Sequence, residues 1–323
     1  MTQALGLFRQ LAFGVFVWTL SLTAHAGYPE RPIQIVVPFA AGSPPDVLAR
    51  LLAEAWKRSG FADAIVVNQP GAGGSLGVAQ VAKAAADGYT LAIAGDAALV
   101  VNPSLYPNLL AAPLQQLAPV SQLVVTPTVL VVGQDIAVRS VAELVQLAQR
   151  EPGRLSFASA GAGTSSRRNG ELLRAVAKLD MIHVPYKASP LLDVAQGRVT
   201  MFFANAATIA PFLADGRLRP LAVAARERLP GLPDVPTMAE AGYAQVDSLA
   251  WFGLVAPAGT PADVVAKLQA ESAAALRDPA IAQRLDALGG KAVGSTPEAF
   301  RALIAQELPR WQTFVREAGI QAD

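Results

Sequence analysis

Two stretches of this chain join a small-residue loop to a helix start in a way that suits an anion. The first is Val37-Pro38-Phe39-Ala40-Ala41-Gly42-Ser43-Pro44-Pro45-Asp46, which follows a β-branched run. Ser43 stands where an N-cap belongs and Asp46 falls at the third helical position, so a capping box is expected there. The second stretch is Ser159-Ala160-Gly161-Ala162-Gly163-Thr164-Ser165-Ser166, leading from the run Leu155–Ser159 into a helix through Leu172. A helix start presents unpaired backbone N–H groups and the positive end of the helix dipole, which together suit a carboxylate or phosphate. One such loop is common as a plain strand-to-helix turn. Two of them, at the carboxyl ends of strands in separate halves of the chain, can face each other across a cleft.

Other chemistry is poorly supplied. Gly71-Ala72-Gly73-Gly74-Ser75-Leu76-Gly77 invites a dinucleotide reading, but the third glycine of G-x-G-x-x-G falls at Leu76 and Pro70 interrupts the strand exit. A turn that permits close packing accounts for it better. His183 is the one histidine beyond residue 26, and it lies in a strand, where a hydrogen-bonded sheet residue is the commoner role. No G-x-S-x-G, H-E-x-x-H or Walker A lysine accompanies it. No catalytic residue, cofactor or metal site is therefore expected. The chain has no cysteine, which excludes disulfides, thiolate metal sites and a lipid-anchored amino terminus.

The elements that would position the two loops are legible in outline. Ile33–Val37 reads as a buried strand, Val47–Arg58 as an amphipathic helix, Ala64–Val67 as a strand, Leu76–Ala85 as a helix and Tyr89–Ala94 as a strand. This alternation predicts a mostly parallel α/β sheet. Gln122–Val132 is a longer β-rich run interrupted by Pro127, and Leu249–Ala256 matches it. Both are read as crossovers, giving one lobe over residues 27–125 plus 249–323 and a second over 126–248. Thr237–Glu240, Thr260–Asp263 and Thr296-Pro297 carry helix-start signals.

The first 26 residues hold one charge, Arg9, then an apolar run to Leu22 and Ala24-His25-Ala26. That order predicts a cleaved signal peptide, the apolar run being too short to span a bilayer. The remainder carries 25 basic and 25 acidic residues. A net charge of zero gives no reason to expect nucleic acid or a membrane surface as partner. A soluble periplasmic protein without a lipid anchor is expected.

Read together, several motifs resemble the Bug family, the substrate-binding proteins of tripartite tricarboxylate transporters. They are Tyr28–Ile33, Val37–Ala40, Asn68–Gly74, Asp87–Leu91, Gly163–Ser165, His183–Lys187, Leu232–Thr237, Trp251–Leu254 and Ala256–Pro261. The resemblance covers essentially the whole chain after residue 26. It implies a type II periplasmic binding-protein fold, with two α/β lobes joined by two crossover strands. It also implies a monomeric receptor that closes on a small carboxylate and delivers it to the transporter's membrane subunits. Ligand contacts are implied at Phe39, Ala40, Ala41, Gly42, Ser43 and Asp46 in the first loop. In the second they are implied at Gly161, Ala162, Gly163, Thr164, Ser165 and Arg167, with Tyr186 and Asn205 added.

The chain departs from the family pattern at the site. Ser43, Pro44 and Pro45 replace a glycine pair and a hydroxyl residue, and each proline lacks an N–H. Ser166-Arg167-Arg168 replaces the usual histidine, so a guanidinium there either takes a carboxylate bidentately or is a solvated helix residue. The segment after Lys187 is about two residues shorter than the family pattern, and Ala204 stands where the family often has aspartate. A less acidic floor of this kind favours a more apolar ligand body. Three alternatives stay open: a sensor partner, a bilobal enzyme using His183, and a member that binds nothing.

Overall fold

The computed structural model describes residues 27–186 and 189–321. The leader expected over residues 1–26 and Lys187 lie outside the described residues. The run of β-branched residues at Ile33–Val37 forms β1, and α1 (Pro44–Arg58) packs on it. Leu48, Leu51, Leu52, Ala55 and Trp56 recur at helical spacing along α1 and form its buried face. Asp46 in the first turn, with Lys57 and Arg58 in the last, complements the helix dipole. There follow β2 (Ala64–Asn68), α2 (Ser75–Val81), β3 (Thr90–Gly95) and β4 (Leu117–Thr126).

Pro127 then breaks the strand, and β5 (Thr128–Gly133) continues into a second sheet. That lobe adds α3 (Val141–Arg150), β6 (Ser156–Ser159), α4 (Ser165–Val176), β7 (Ile182–Pro185), α5 (Leu191–Ala195), β8 (Met201–Asn205), α6 (Ala206–Ala214) and β9 (Leu218–Ala224). The chain returns through β10 (Ala250–Pro257), α7 (Ala262–Leu276), α8 (Pro279–Ala287), β11 (Lys291–Ala292) and α9 (Pro297–Glu317).

The first sheet has the order β11-β4-β10-β3-β1-β2, and the second β7-β6-β8-β5-β9. Parallel pairs, β1 with β2 and β3 and β6 with β7 and β8, form one part of each sheet. Antiparallel pairing of β10 with β3 and β4, and of β5 with β8 and β9, forms the other. Each sheet is covered on both faces, so its central strands are apolar on both sides rather than alternating. Burying a side chain such as Leu91 or Phe300 in these layers stabilises by about 1.5–3 kcal/mol.

Local chemistry differs from expectation at four places. The helix read as Leu76–Ala85 ends at Val81, because Lys83 and Ala84 donate to carbonyls three residues back and tighten into a turn. Thr260 does not cap α7: its hydroxyl donates to the Pro257 carbonyl, and Pro261 takes the cap position. Thr237 and Glu240 make both reciprocal bonds of a capping box, at 2.7 and 3.1 Å, yet close a turn without a helix. The fourth, Ser43 with Asp46, belongs to the cleft. Thr296 does cap α9, accepting from Ala299 N–H.

Candidate ligand-binding cleft

At the carboxyl end of β1, Asp46 organises the first loop. It is 2 % exposed and accepts from Gly42 N–H at 2.9 Å, Arg50 Nε at 3.0 Å and Asn68 Nδ2 at 2.8 Å. Asn68 also donates to the Phe39 carbonyl. Burial alone raises the pKa of this carboxyl. The hydrogen bonds from Arg50, Gly42 and Asn68 outweigh it and hold the group below the usual carboxylate range. The predicted capping box is thus rearranged: Asp46 reaches Gly42 instead of Ser43, and Ser43 makes no side-chain cap. Both the hydroxyl and the N–H of Ser43 donate to the Ala40 carbonyl, at 2.6 and 3.2 Å. Pro44 and Pro45 lack N–H groups, and the N–H groups of Phe39, Ala40, Ala41 and Asp46 donate to nothing among the described residues. Phe39 is half-buried and sits edge-to-face on Phe252.

The loop after β6 is built differently. Thr164 caps α4, accepting from Arg167 N–H while its hydroxyl donates to the Gly161 carbonyl at 2.7 Å. Ser166 Oγ, 2.8 Å from the Thr164 hydroxyl, accepts from Ala160 N–H. Gly161 N–H reaches Ser159 Oγ at a long 3.4 Å. The N–H groups of Gly163, Ser165 and Ser166 donate to nothing among the described residues. Ser165 is 8 % exposed, and its hydroxyl likewise has no partner there. Open N–H groups at a helix start are donors of the kind an anion accepts from.

Arg167 is committed within its own lobe. It pairs with Glu171 at 2.5 Å and donates to His183 Nδ1, and Glu171 also holds Arg174 at 2.8 Å. A guanidinium only donates, so Nδ1 accepts and the Nε2–H of a neutral His183 faces Ser159 Oγ at 2.7 Å. Both ring nitrogens are used, which makes His183 a link between strand and loop. The Tyr186 hydroxyl donates to Asp193 at 2.7 Å, and burial followed by that bond pushes its pKa up. Asn205 caps α6, its side-chain oxygen accepting from Ala207 N–H at 2.8 Å.

The lobes meet on either side of the loops. A Cβ added to Gly163 would fall 2.5 Å from Asn102 Oδ1, and one added to Gly289 would fall 2.5 Å from Asn205 Oδ1. Asn102, missed in the sequence, donates to Ala72 O, Gly73 O and Ser75 Oγ, so the third glycine-rich stretch wraps this contact residue. Ala162 joins the first lobe's apolar core. Arg168 is neither solvated nor open to a ligand: it is buried and reaches Asp96 in the first lobe. Its signal was a helix face on which Arg168 and Asn169 accompany Ser165 and Leu172 at spacings of three and four.

Surface depressions of about 460 and 500 Å3 are lined by Glu30, Arg31 and Lys57, and by Ser104 and Gln312, away from both loops. Among the described residues no cluster of His, Asp or Glu could hold a metal ion, and no helix is long and apolar enough to cross a membrane.

Comparison with known proteins agrees with this architecture. A family described as the tripartite tricarboxylate transporter family receptor matches residues 48–320. The protein BugT of Bordetella pertussis is 36% identical over 314 residues, 95% of this chain and 96% of its own length. The solved structure of the periplasmic binding protein BugD is 34% identical with a TM-score of 0.77, covering 92% of this chain and 100% of BugD. MatC from Rhodopseudomonas palustris, solved with bound malate, is 33% identical with a TM-score of 0.77 and covers 89% and 100%.

Proposed function

From the membership of this chain in the tripartite tricarboxylate transporter receptor family, we propose that it is a periplasmic solute receptor for a small carboxylate. The observation that carries this reading is the start of α4. Unengaged N–H groups and the unpartnered hydroxyl of Ser165 gather there beside a lobe–lobe contact. Malate in MatC supports a carboxylate as the anion. One carboxylate group docks on Gly163, Ser165 and Ser166, and the open N–H groups of Phe39–Ala41 add to it from across the cleft. Asp46, Arg167, Tyr186 and Asn205 shape the walls through the bonds described and do not themselves hold the ligand.

Ligand selects a closed arrangement of the lobes by fitting it better than the open one. The mature receptor works as a monomer, with residues 27–125 plus 249–323 as one lobe and 126–248 as the other. The membership of β5–β9 in a sheet of their own supports this division. Closed receptor hands its ligand to the transporter's membrane subunits. No enzyme activity is assigned, in keeping with relatives that are binding proteins and with a His183 whose ring nitrogens are both engaged.

The test is native mass spectrometry of freshly purified protein for a co-purified carboxylate, followed by thermal unfolding with malate and a panel of mono-, di- and tricarboxylates. A ligand at a hundred times its Kd adds about 2.7 kcal/mol to the native state. A panel without any shift, from protein carrying no bound small molecule, overturns the reading.

A further inference from the structure

Arg168 ties together parts of the chain that ligand binding has to move. It is the fourth residue of α4 and 1 % exposed. Nη1 donates to the Gly163 carbonyl at 2.7 Å, within the ligand-facing loop. Nε donates to Ser248 Oγ at 2.6 Å, and Nη2 reaches the Leu249 carbonyl at 3.3 Å, both in the segment that enters β10. Nη2 also donates to Asp96, which directly follows β3 in the first lobe and is 5 % exposed. The ring of Trp311 lies 4.7 Å from the guanidinium carbon and covers it. Asn169 grips the same region: Oδ1 accepts from Ser248 N–H, and Nδ2 donates to Ser248 O and to Thr128 Oγ1 at the start of β5.

A buried ion pair is a weak source of stability, because desolvation offsets most of its attraction. A guanidinium does supply geometry: its donors point in fixed directions from one rigid plane. Here those donors reach the ligand-facing loop, a crossover strand and the opposite lobe. Turning the first lobe against α4 moves Asp96, and the fork cannot follow without straining its bond to Gly163. Displacing the Gly163 carbonyl does the reverse.

We propose that Arg168 is a positioning residue that couples the Gly161–Thr164 loop to the angle between the lobes, with Asp96 as its counterpart in the first lobe. The proposal rests on reading that loop as ligand-facing.

The chain has no cysteine of its own, so spin labels at Ala142→Cys on α3 and Ala274→Cys on α7 report the interlobe distance by pulsed dipolar spectroscopy. Two variants probe the coupling. Asp96→Asn keeps an acceptor but removes the charge. Arg168→Lys keeps the charge but replaces the fork with one ammonium. Each is expected to broaden the ligand-free distance distribution at least twofold. Each should also speed amide exchange of residues 160–166 about fivefold or more, while β5 exchanges as in the parent. Parent-like distances and loop exchange in both variants would falsify the coupling. Faster exchange that includes β5 overturns it as well, by reducing the pair to general stability. Both readouts need no ligand, so a parent protein that ignores malate and the wider panel sinks the carboxylate reading and still leaves the coupling decided.

Discussion

In the loop of the first lobe, the N–H groups of Gly42 and Ser43 already serve Asp46 and Ala40, and two prolines follow. In that of the second, Thr164 and Ser166 bond within the loop, and the N–H groups of Gly163, Ser165 and Ser166 with the Ser165 hydroxyl stay open. The supporting charges differ too. Asp46 is buried, but its partner Arg50 is largely in solvent, whereas Glu171 is clamped by Arg167 and Arg174 deep in the lobe. A helix start is thus a ligand site only when the residues around it have not already used its donors. On the proposed reading, the second lobe is the holding jaw and the first the covering jaw.

Breaking the supports comes first in size. Glu171→Ala leaves Arg167 enclosed without its carboxylate and should cost about 3–5 kcal/mol of stability, read by denaturant unfolding. Asp46→Ala, with Arg50 free to hydrate, should cost about 1–3 kcal/mol. Equal losses would dissolve the contrast between a buried and a half-exposed anchor. Asp46 also predicts an acid response. Its carboxyl lies lower in the folded state than in the unfolded chain, so its stabilisation is complete above the ordinary carboxylate range. It is lost as pH falls through the folded value, and Asp46→Asn should flatten that part of the stability–pH curve.

Next is the approach of the holding jaw. Gly163→Ala drives a methyl into Asn102 Oδ1 and should weaken closure on ligand by about 1–3 kcal/mol, measured as Kd by calorimetry with whichever carboxylate binds. The smallest effect sharpens the comparison most. Ser165→Ala should weaken binding by about 1 kcal/mol, whereas Ser43→Ala, whose hydroxyl already serves Ala40, should leave Kd unchanged. The opposite ranking would exchange the roles of the jaws.

Much of this was legible beforehand. β-branched runs separated by amphipathic stretches located β1, β2, β3 and β6, and Pro127 marked where one long run divides. The mostly parallel sheet they predicted is mixed, because β10 and β5 each pair antiparallel with both neighbours. The glycines at 71–74 were rightly taken as packing turns, since Leu76, Asn102 and Phe39 stand where Cβ atoms at Gly71, Gly73 and Gly74 would fall. Hydrogen-bond destinations were not legible. Ser43 has the right type and position for a cap, but the Ala40 carbonyl lies closer to its hydroxyl than the helix N–H groups do. Arg168 read, with Arg167, as either a carboxylate-binding guanidinium or a solvated helix residue, because nothing local says that residue 96 will be beside residue 168. Tertiary partners of that kind are set by how the lobes dock, and no spacing along one helix encodes them.

The passage of the chain through Pro127 has a further consequence, for the order of assembly. β10 pairs with β3 on one side and β4 on the other, and Ala250 stands opposite Thr126 in that ladder. The centre of the first sheet therefore cannot be completed until everything from β5 to β9 has been threaded between its strands. Closing so long a loop in an unfolded chain has an entropic cost that grows with its length. An insert that folds first brings its own ends together and shortens the search. Vectorial synthesis thus favours the second lobe as the earlier cooperative unit, and the first lobe, which starts and finishes the described chain, as the later one.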